Sequence, residues 1–450
     1  MSLLKNILIL CLLALSYLSY GQYSISGTIK DMAGNTIMLR RYTGLRLINV
    51  DSTTIDGQDS FHFDIQLSQG MYEITSPNGF NMELLYEDKP IQFVCQDYNN
   101  PATIQFIGSD INDDWHEYTL LRDETLYLLE VLKPILRGYD PASEFYLNSK
   151  KEYHALQETF LRKVDSIIAC KNNYATRLIK ADRPVPIDLN TDASTQTAFL
   201  KEHLFDGVDF NDMSLIPTNV LTTKMIDYLS LYNCATQNQE MNLIMGLADI
   251  LERAKTNIKM YAFVLEYMLE GFNALGMDKV CEYLLSLPQL YEGEISMETW
   301  KELDSITLPF QKIKVGVVAP NISGLTLNDS YFSLSDSDAE HYILLFWSTE
   351  CDHCQRILDE LGPFLESHPS ILLITDAIAS SEKEVQKILR KKKSIGHHFY
   401  DDLRWEGDNY KNYHVFATPT IFILNKDKVI VSKPLDFEEL KQYFSQLSQQ

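Results

Sequence analysis

The chain has 450 residues, of which 45% are hydrophobic and 11% aromatic, so it can form packed cores and is not a disordered protein. Its length predicts two or three domains. The formal net charge is -23, from 62 acidic against 39 basic side chains. This balance argues against nucleic acid as a partner, because phosphates require clustered Lys and Arg.

The N-terminus, residues 1–21, has the features of a secretory signal peptide. Lys5 precedes an apolar stretch, and the small residues Ser19 and Gly21 suit cleavage after Gly21. A membrane anchor fits less well, because the apolar stretch is shorter than a bilayer span. A lipoprotein signal at Cys11 also fits less well, because the residue before it is not the small one that this processing expects. We therefore predict an exported, periplasmic protein without a membrane span in the mature chain, and leave association with the envelope open.

Residues 22–108 are expected to form an antiparallel β sandwich or barrel. Seven short runs are alternating or aliphatic, and turn residues separate several of them. The runs are YSISGTIKD, TIMLRRY, FHFDIQL, MYEITS, MELLYE, IQFVCQD and TIQFIG. No cluster of His, Asp or Glu in this region has metal-ligand spacing, so we expect a binding or packing module without chemistry of its own.

Residues 109–305 change to the period of α-helices. In MNLIMGLADILERAKTNI, for example, Leu243, Leu247, Ile250 and Leu251 recur at helical spacing. No repeat of fixed length is present, so the sequence predicts an all-α middle region of unassigned purpose.

Residues 306–450 alternate strands and helices. HYILLFWST and ILLITDAI are apolar runs typical of buried strands, and TIFIL with KVIVSK is expected to form a hairpin. Helices are expected from Asp352 to about Ser367, over SSEKEVQKILRKKKS, and over DFEELKQYFSQLS at the end. This order predicts an α/β domain in which helices cover one sheet.

Six cysteines remain after the predicted signal peptide. Four of them are far apart in sequence and are predicted to be packing residues, because isolated cysteines are commonly buried. They are Cys95, Cys170, Cys234 and Cys281. Only Cys351 and Cys354 are close enough to act as a local pair.

The Cys351–Cys354 pair can be a redox centre, part of a metal site, or two core cysteines. A zinc site needs four ligands and no second pair exists, so we predict no metal. Haem attachment needs His directly after the second cysteine, where Gln355 stands. The first cysteine falls where a strand becomes a helix, and the unpaired amides and dipole of a helix start favour a thiolate. We therefore predict redox chemistry, in which Cys351 attacks and Cys354, one turn later, resolves.

A proline before the last hairpin agrees with this prediction. ATPTIFIL places Thr418 and Pro419 just before a buried strand, where a cis peptide bond is plausible. An ordinary proline at the start of a strand is the alternative.

FWSTECDHC, VAPNISGLTLND, FSLSD and YHVFATPTIFILNKD together resemble the TlpA/ResA-like branch of the thioredoxin superfamily, the exported thiol–disulfide oxidoreductases, over about residues 316–448. The resemblance implies a thioredoxin fold, Cys351 as the attacking and Cys354 as the resolving sulfur, and substrate binding by Thr418 and Pro419. It also implies that Trp347 is an aromatic residue on the rim of the active site. No cofactor is implied.

The whole arrangement also resembles Bacteroidetes-type proteins with a β-rich N-terminal domain, a helical middle and a C-terminal thioredoxin domain. HLFDGVDFNDMSLIPTNVL, residues 203–221, is similar to a recurrent stretch of that helical middle. This resemblance implies no chemistry for the first two regions.

The chain departs from the TlpA/ResA-like pattern near the cysteines. Ile357 and Asp359 occupy the places of a usual Glu and Pro, and Leu345 replaces an acidic residue of the preceding strand. This departure predicts a helix that lacks the usual kink or bends later, at Pro363. No obvious buried carboxylate is available to carry a proton to Cys354. Asp359 or Glu360 is the candidate substitute.

Local charge offers a hypothesis on redox tuning. Glu350 and Asp352 flank Cys351 and oppose a thiolate there. Protonated His353 and the helix dipole favour the thiolate. We therefore expect a reductant or isomerase rather than a strong oxidant.

The function predicted from the sequence is that of an exported oxidoreductase that reduces or isomerises disulfides of periplasmic proteins. Its expected partners are protein thiols and disulfides and an upstream periplasmic dithiol donor. The alternative is a binding or scaffold protein whose thioredoxin-like domain is secondary or weakly active, because fold resemblance does not establish activity.

Overall fold

The computed structural model describes residues 24–232, 239–290 and 297–447. The predicted signal peptide and Cys234 lie outside the described residues. The chain divides into two compact units, residues 1–233 and residues 234–450. Over the described ranges, no helix combines the length and the apolar character that crossing a membrane requires.

The first unit begins with two four-stranded sheets, in the strand orders β4-β1-β7-β8 and β3-β2-β5-β6. Apolar side chains of both sheets form one core, to which Ile25 and Phe93 contribute from one sheet and Leu39 and Ile74 from the other. The strands are β1 Ser24–Ile29, β2 Thr36–Thr43, β3 Arg46–Thr54, β4 Ser60–Asp64, β5 Gly70–Thr75, β6 Asn81–Tyr86, β7 Ile91–Cys95 and β8 Ile104–Phe106.

Two details of the sheets differ from the sequence prediction. β1 pairs with β7 in parallel, so the sheets are not wholly antiparallel. The strand Arg46–Thr54 was missed, because most of its side chains are exposed and it lacks the apolar alternation by which strands are recognised.

Five helices complete the described part of the first unit: α1 Asp110–Gly138, α2 Glu144–Cys170, α3 Tyr174–Asp182, α4 Ala193–His203 and α5 Val220–Ser230. The side chain of Asn112 in α1 holds both backbone groups of Leu85 in β6, accepting from its N–H at 2.7 Å and donating to its carbonyl at 2.9 Å. The stretch 203–221 also meets the sheet, because the Met71 N–H donates to the Pro217 carbonyl at 2.9 Å.

The second unit begins with the helices α6 Gln239–Ala254, α7 Ile258–Ala274, α8 Asp278–Leu290 and α9 Met297–Gln311. They contact the α/β part that follows: the rings of Phe310 and His414 lie 4.6 Å apart, and Lys433 Nζ donates to Asn273 Oδ1 at 3.0 Å. The prediction of a β-rich segment and many helices in a multidomain chain is confirmed.

A five-stranded sheet of order β13-β12-β11-β14-β15 forms the centre of the α/β part. β11, β12 and β13 are parallel, and β14 runs antiparallel to β11. The carboxyl ends of the three parallel strands and the start of β14 therefore share one edge. The strands are β9 Ser323–Leu325, β10 Tyr331–Ser333, β11 His341–Ser348, β12 Ile371–Ile378, β13 His397–Tyr400, β14 Thr420–Asn425 and β15 Ile430–Ser432.

The helices of this part are α10 Asp352–Ser367, α11 Glu382–Lys392, α12 Asp408–Asn412 and α13 Phe437–Leu447. Each face of the sheet has its own apolar core, and α10 packs on the face that carries Leu345 and Trp347. The sequence prediction missed β13, which has only four residues. It begins directly after Gly396, where φ is +142° and a Cβ would lie 2.3 Å from the Leu373 carbonyl oxygen, so only glycine fits.

The isolated cysteines have different surroundings. Cys95 and Cys281 are buried, as predicted for packing residues. Cys170, at the end of α2, is exposed, so its prediction as a packing residue is wrong. The error arose because the buried positions of α2 are Ser149, Tyr153, Phe160 and Val164, whereas Cys170 is its last residue and lies outside them.

Candidate active site

Cys351 and Cys354 lie at the start of α10 and are joined by a disulfide bond. Cys351 is the N-cap residue of the helix, and its sulfur accepts a hydrogen bond from the Cys354 N–H at 3.1 Å. An amide that donates to this sulfur stabilises it as a thiolate when the bond is reduced. Cys351 is partly exposed and Cys354 is wholly buried, so only the first sulfur is open to attack from outside.

The chain enters this site from the buried strand β11. Two side chains fix the short loop between strand and helix: Gln355 Nε2 donates to the Thr349 carbonyl at 2.9 Å, and Ser348 Oγ accepts from the Glu350 N–H at 3.2 Å. In the sequence, Gln355 served only to exclude haem attachment. Its position directly after the pair gave no signal of this loop contact.

The loop before β14 completes the site. The Thr418 carbonyl oxygen lies 3.6 Å from Cys351 Sγ, and the peptide bond between Thr418 and Pro419 is cis. In the reduced form the Cys351 thiol can donate to this carbonyl. The structure thus brings Thr418 and Pro419 beside the cysteine pair, about 65 residues away in sequence.

Trp347 does not lie on the rim of the site. Its side chain is 0% exposed and packs with Cys354 and Ile357 in the core beneath α10, where its indole nitrogen has no hydrogen-bond partner among the described residues. The predicted contact of Trp347 with substrate is therefore wrong. The error arose because the side chain points into the sheet face that α10 covers, an orientation that the run FWST alone does not reveal.

The two residues predicted to tune the redox centre, Asp352 and His353, are exposed on the first turn of α10. Both are close enough in sequence to act on the Cys351 thiolate through their charge. Solvent screens charges at such exposed positions, so we expect these two side chains to change the redox potential only modestly.

The residues that depart from the family pattern have structural roles. Ile357 is buried in the core under α10. Asp359 is exposed and forms an ion pair with Lys392 of α11, so its carboxylate is not available as a buried proton carrier to Cys354. Pro363 lies inside α10, which continues to Ser367.

A buried carboxylate, Asp376 in β12, was not predicted from the sequence. Its Oδ2 accepts from Asn409 Nδ2 at 2.8 Å, and its Oδ1 has no hydrogen-bond partner among the described residues. Burial raises the pKa of Asp376 to about 6. Asp376 pairs in register with Phe346, whose side chain belongs to the core on the sheet face opposite α10, so it does not occupy the place of a proton carrier to Cys354. A single acid inside the apolar run ILLITDAI was the available signal.

Asp376 makes stability depend on pH. Its folded-state pKa lies above the unfolded value of 3.8, so the folded state favours the protonated form. The stability contribution is present below about pH 4 and is lost as pH rises to about 6, by roughly 3 kcal/mol in total. We expect Asp376→Asn, which keeps a carbonyl acceptor for Asn409, to remove this loss in urea unfolding between about pH 4 and 7. Asp427→Asn on an exposed turn is the control, and an unchanged slope in Asp376→Asn contradicts the account.

Helices of the second unit contact one flank of the site. Asn273 and Ala274 at the end of α7 line a cleft together with Phe416, Ala417 and Pro419. The described residues contain no group of three or more His, Cys, Asp or Glu side chains that could hold a metal ion.

Two family models match separate segments of the chain before residue 273. The model described as "Domain of unknown function (DUF4369)" matches residues 23–115, which include the two N-terminal sheets. The model described as "Domain of unknown function (DUF5106)" matches residues 150–272, which are mainly helical. Neither description names an activity.

The part with the cysteine pair is similar to known proteins. The sporulation thiol-disulfide oxidoreductase A of Bacillus subtilis (strain 168) is 32% identical over 106 residues, which are 22% of this chain and 64% of that protein, so the chain spans less than two thirds of this relative. A domain of a possible thiol-disulfide isomerase from Cytophaga hutchinsonii is 28% identical, with 30% of this chain and 93% of that chain covered and a TM-score of 0.27. A thioredoxin-like protein from Bacteroides caccae is 17% identical, with 58% and 96% covered and a TM-score of 0.37.

The similarity to the Bacillus protein adds to the observations made on the chain itself: a cysteine pair at a helix start after a buried strand, with a cis-proline loop beside the first sulfur. Together, these observations and the similarity to the Bacillus protein support a TlpA/ResA-like oxidoreductase domain of the thioredoxin superfamily in the C-terminal part of the chain.

Proposed function

We propose that the protein is a thiol–disulfide oxidoreductase that reduces or isomerises disulfides of other proteins through Cys351 and Cys354. The observation that carries the proposal is the disulfide at the start of α10, with one accessible sulfur, one buried sulfur and the Thr418 carbonyl beside the first. An attacking sulfur must be reachable, and a resolving sulfur need only reach its neighbour.

The reaction begins with both sulfurs reduced. The Cys351 thiolate attacks one sulfur of a substrate disulfide, so a new S–S bond forms, the substrate bond breaks, and the leaving thiolate takes a proton from solvent. Cys354 then loses its proton and attacks Cys351 Sγ. The mixed disulfide breaks, the second substrate sulfur leaves as a thiolate and is protonated, and the disulfide of the enzyme forms. Two electrons have passed to the substrate, and a dithiol donor must return them.

The proposed direction of electron flow rests on the modest effect of the charges around Cys351. Asp352 opposes the thiolate while the amide of Cys354 and His353 favour it, so we propose a reductant or isomerase. Equilibration of the full chain with a dithiol buffer should give a reduction potential well below that of strong periplasmic oxidants. A value near about -120 mV would contradict this direction.

The setting of the reaction is part of the proposal. We infer from residues 1–21 that the chain is exported to the periplasm, where it would meet folded proteins with disulfides and an upstream dithiol donor. The division into 22–108, 109–305 and 306–450 is likewise proposed, with the first two parts engaging partners or supporting the redox domain. The chemistry described needs no metal or organic cofactor.

Reduction of insulin by dithiothreitol tests the proposed activity. We expect the full chain, without residues 1–21, to accelerate the reaction over dithiothreitol alone, because its pair accepts electrons from the dithiol and passes them on. No acceleration would overturn the proposal and favour the alternative of a binding or scaffold protein with a secondary thioredoxin-like domain.

A further inference from the structure

Three large apolar side chains are exposed along the sheet edge that holds Cys351. Leu403 is 59%, Trp405 42% and Phe416 43% exposed. Residues 401–406 follow β13 and Phe416 precedes β14, so the strand register places all three at the edge where β11 ends. Large apolar side chains exposed at one edge of a sheet make that edge a candidate contact surface.

Trp405 is connected to the active-site strand through Tyr410. The two ring centroids lie 5.8 Å apart, and the buried Tyr410 hydroxyl donates to the carbonyl of Asp376 at 2.8 Å and lies 3.4 Å from that of Trp347. Trp347 in turn is four residues before Cys351. Trp405 therefore packs against a buried tyrosine that bonds to the end of β12 and lies near the end of β11, and its own side chain is partly exposed.

The same edge is acidic. The segments 350–356 and 401–411 together carry six carboxylates against three permanent bases, namely Glu350, Asp352, Asp401, Asp402, Glu406 and Asp408 against Arg356, Arg404 and Lys411. Lys411 pairs with Glu406 at 2.9 Å, which leaves five carboxylates against two permanent bases. A negative surface beside exposed apolar side chains attracts segments that are both basic and apolar and repels acidic ones.

We propose that this acidic apolar rim, formed by Leu403, Trp405, Phe416 and the carboxylates of 350–356 and 401–411, selects the protein substrates. Its occupant is an extended, positively charged polypeptide segment with large apolar side chains next to the reacting cysteine. The inference rests on the proposed thiol–disulfide exchange and names its substrate class. Trp405 is its central contact, because aromatic side chains supply large contact areas at low entropic cost.

Short synthetic peptides test the rim in the full chain. Each carries one cysteine in a mixed disulfide with a small fluorescent thiol, flanked by Lys and Phe, by Glu and Phe, or by Lys and Gly. With dithiothreitol as the electron donor, we expect the wild type to reduce the Lys/Phe peptide with kcat/KM about tenfold above the Glu/Phe peptide, a preference that high salt weakens. Trp405→Ala should lower the ratio of Lys/Phe to Lys/Gly by about fivefold, and Asp402→Asn with Asp408→Asn should lower the ratio of Lys/Phe to Glu/Phe.

Tyr331→Ala is the matched control. Tyr331 is 70% exposed and its strand neighbour Phe332 stacks on His397, at the start of β13 and so at the opposite edge of the sheet. It should keep the wild-type ratios. Equal rates on the Lys/Phe and Glu/Phe peptides, or equal ratios in Trp405→Ala and Tyr331→Ala, would overturn the rim proposal.

A binding measurement separates failure of the rim from failure of the proposed activity. Versions of these peptides with serine in place of cysteine and a fluorophore on the N-terminal amine are titrated with the oxidised full chain and followed by fluorescence anisotropy, so no turnover is needed. Tighter binding of the Lys/Phe peptide, weakened by Trp405→Ala, supports the rim even if insulin is not reduced. Equal binding of all three peptides overturns the rim even if insulin is reduced.

Discussion

Cys351→Ser is expected to abolish catalysed disulfide reduction, with a fall of about a hundredfold or more that leaves only the rate of the free dithiol, because serine cannot form the mixed disulfide. Cys354→Ser should also stop turnover, but for a different reason. Its Cys351 still attacks, and without a resolving sulfur the mixed disulfide accumulates. The measurement is insulin reduction together with non-reducing gels of each variant.

Cys281→Ser is the control for this comparison, because Cys281 is a buried cysteine of the same unit away from the pair. Cys281→Ser should retain wild-type turnover and accumulate no mixed disulfide with the substrate. Trapping by Cys351→Ser instead of Cys354→Ser would reverse the assigned roles of the two sulfurs, and the accessibility argument would then fail.

Trp347→Ala is expected to destabilise the α/β part by about 3–5 kcal/mol, because it removes a wholly buried indole from the core beneath α10. The chain has two units, so a single unfolding transition cannot be assumed. Hydrogen exchange of the β11 and β12 amides in the full chain reports the local free energy of opening instead.

The control for Trp347→Ala is Tyr331→Ala, which removes an exposed ring and should change the same exchange free energies by less than about 0.5 kcal/mol. If Trp347 were a rim residue, the variant would lose substrate affinity while its amides exchanged as slowly as in the wild type. That outcome would restore the sequence prediction and contradict the packing described here.

The sequence could predict the redox pair and its strand–helix setting because they depend on local rules. The apolar run before Cys351 is typical of a buried strand, and the residues after it recur at helical spacing. A proline cannot donate a hydrogen bond to a strand ladder, so it is expected only at the start or edge of a strand. The placement of Thr418 beside Cys351 required the family resemblance, because nothing local connects residues that far apart.

The remaining features depend on which way side chains face and on contacts across the sheet. Trp347 and Leu403 are both apolar in the sequence, yet one is buried under α10 and the other is exposed at the sheet edge. Asp376 could be recognised as unusual in its run, but the partner Asn409 and the sheet face on which it lies follow only from the strand register. The parallel pairing of β1 with β7 likewise depends on tertiary contacts rather than on propensity.

The most direct test of the central claim is alkylation of the reduced full chain by iodoacetamide, with each cysteine followed by mass spectrometry. Cys170 is an exposed cysteine of the same chain and serves as the internal reference. At about pH 6.5 we expect Cys351 to react first, at least about tenfold faster than Cys170, because the helix start stabilises its thiolate, while buried Cys354 stays protected. Modification of Cys351 no faster than Cys170, or of Cys354 before Cys351, would contradict the account.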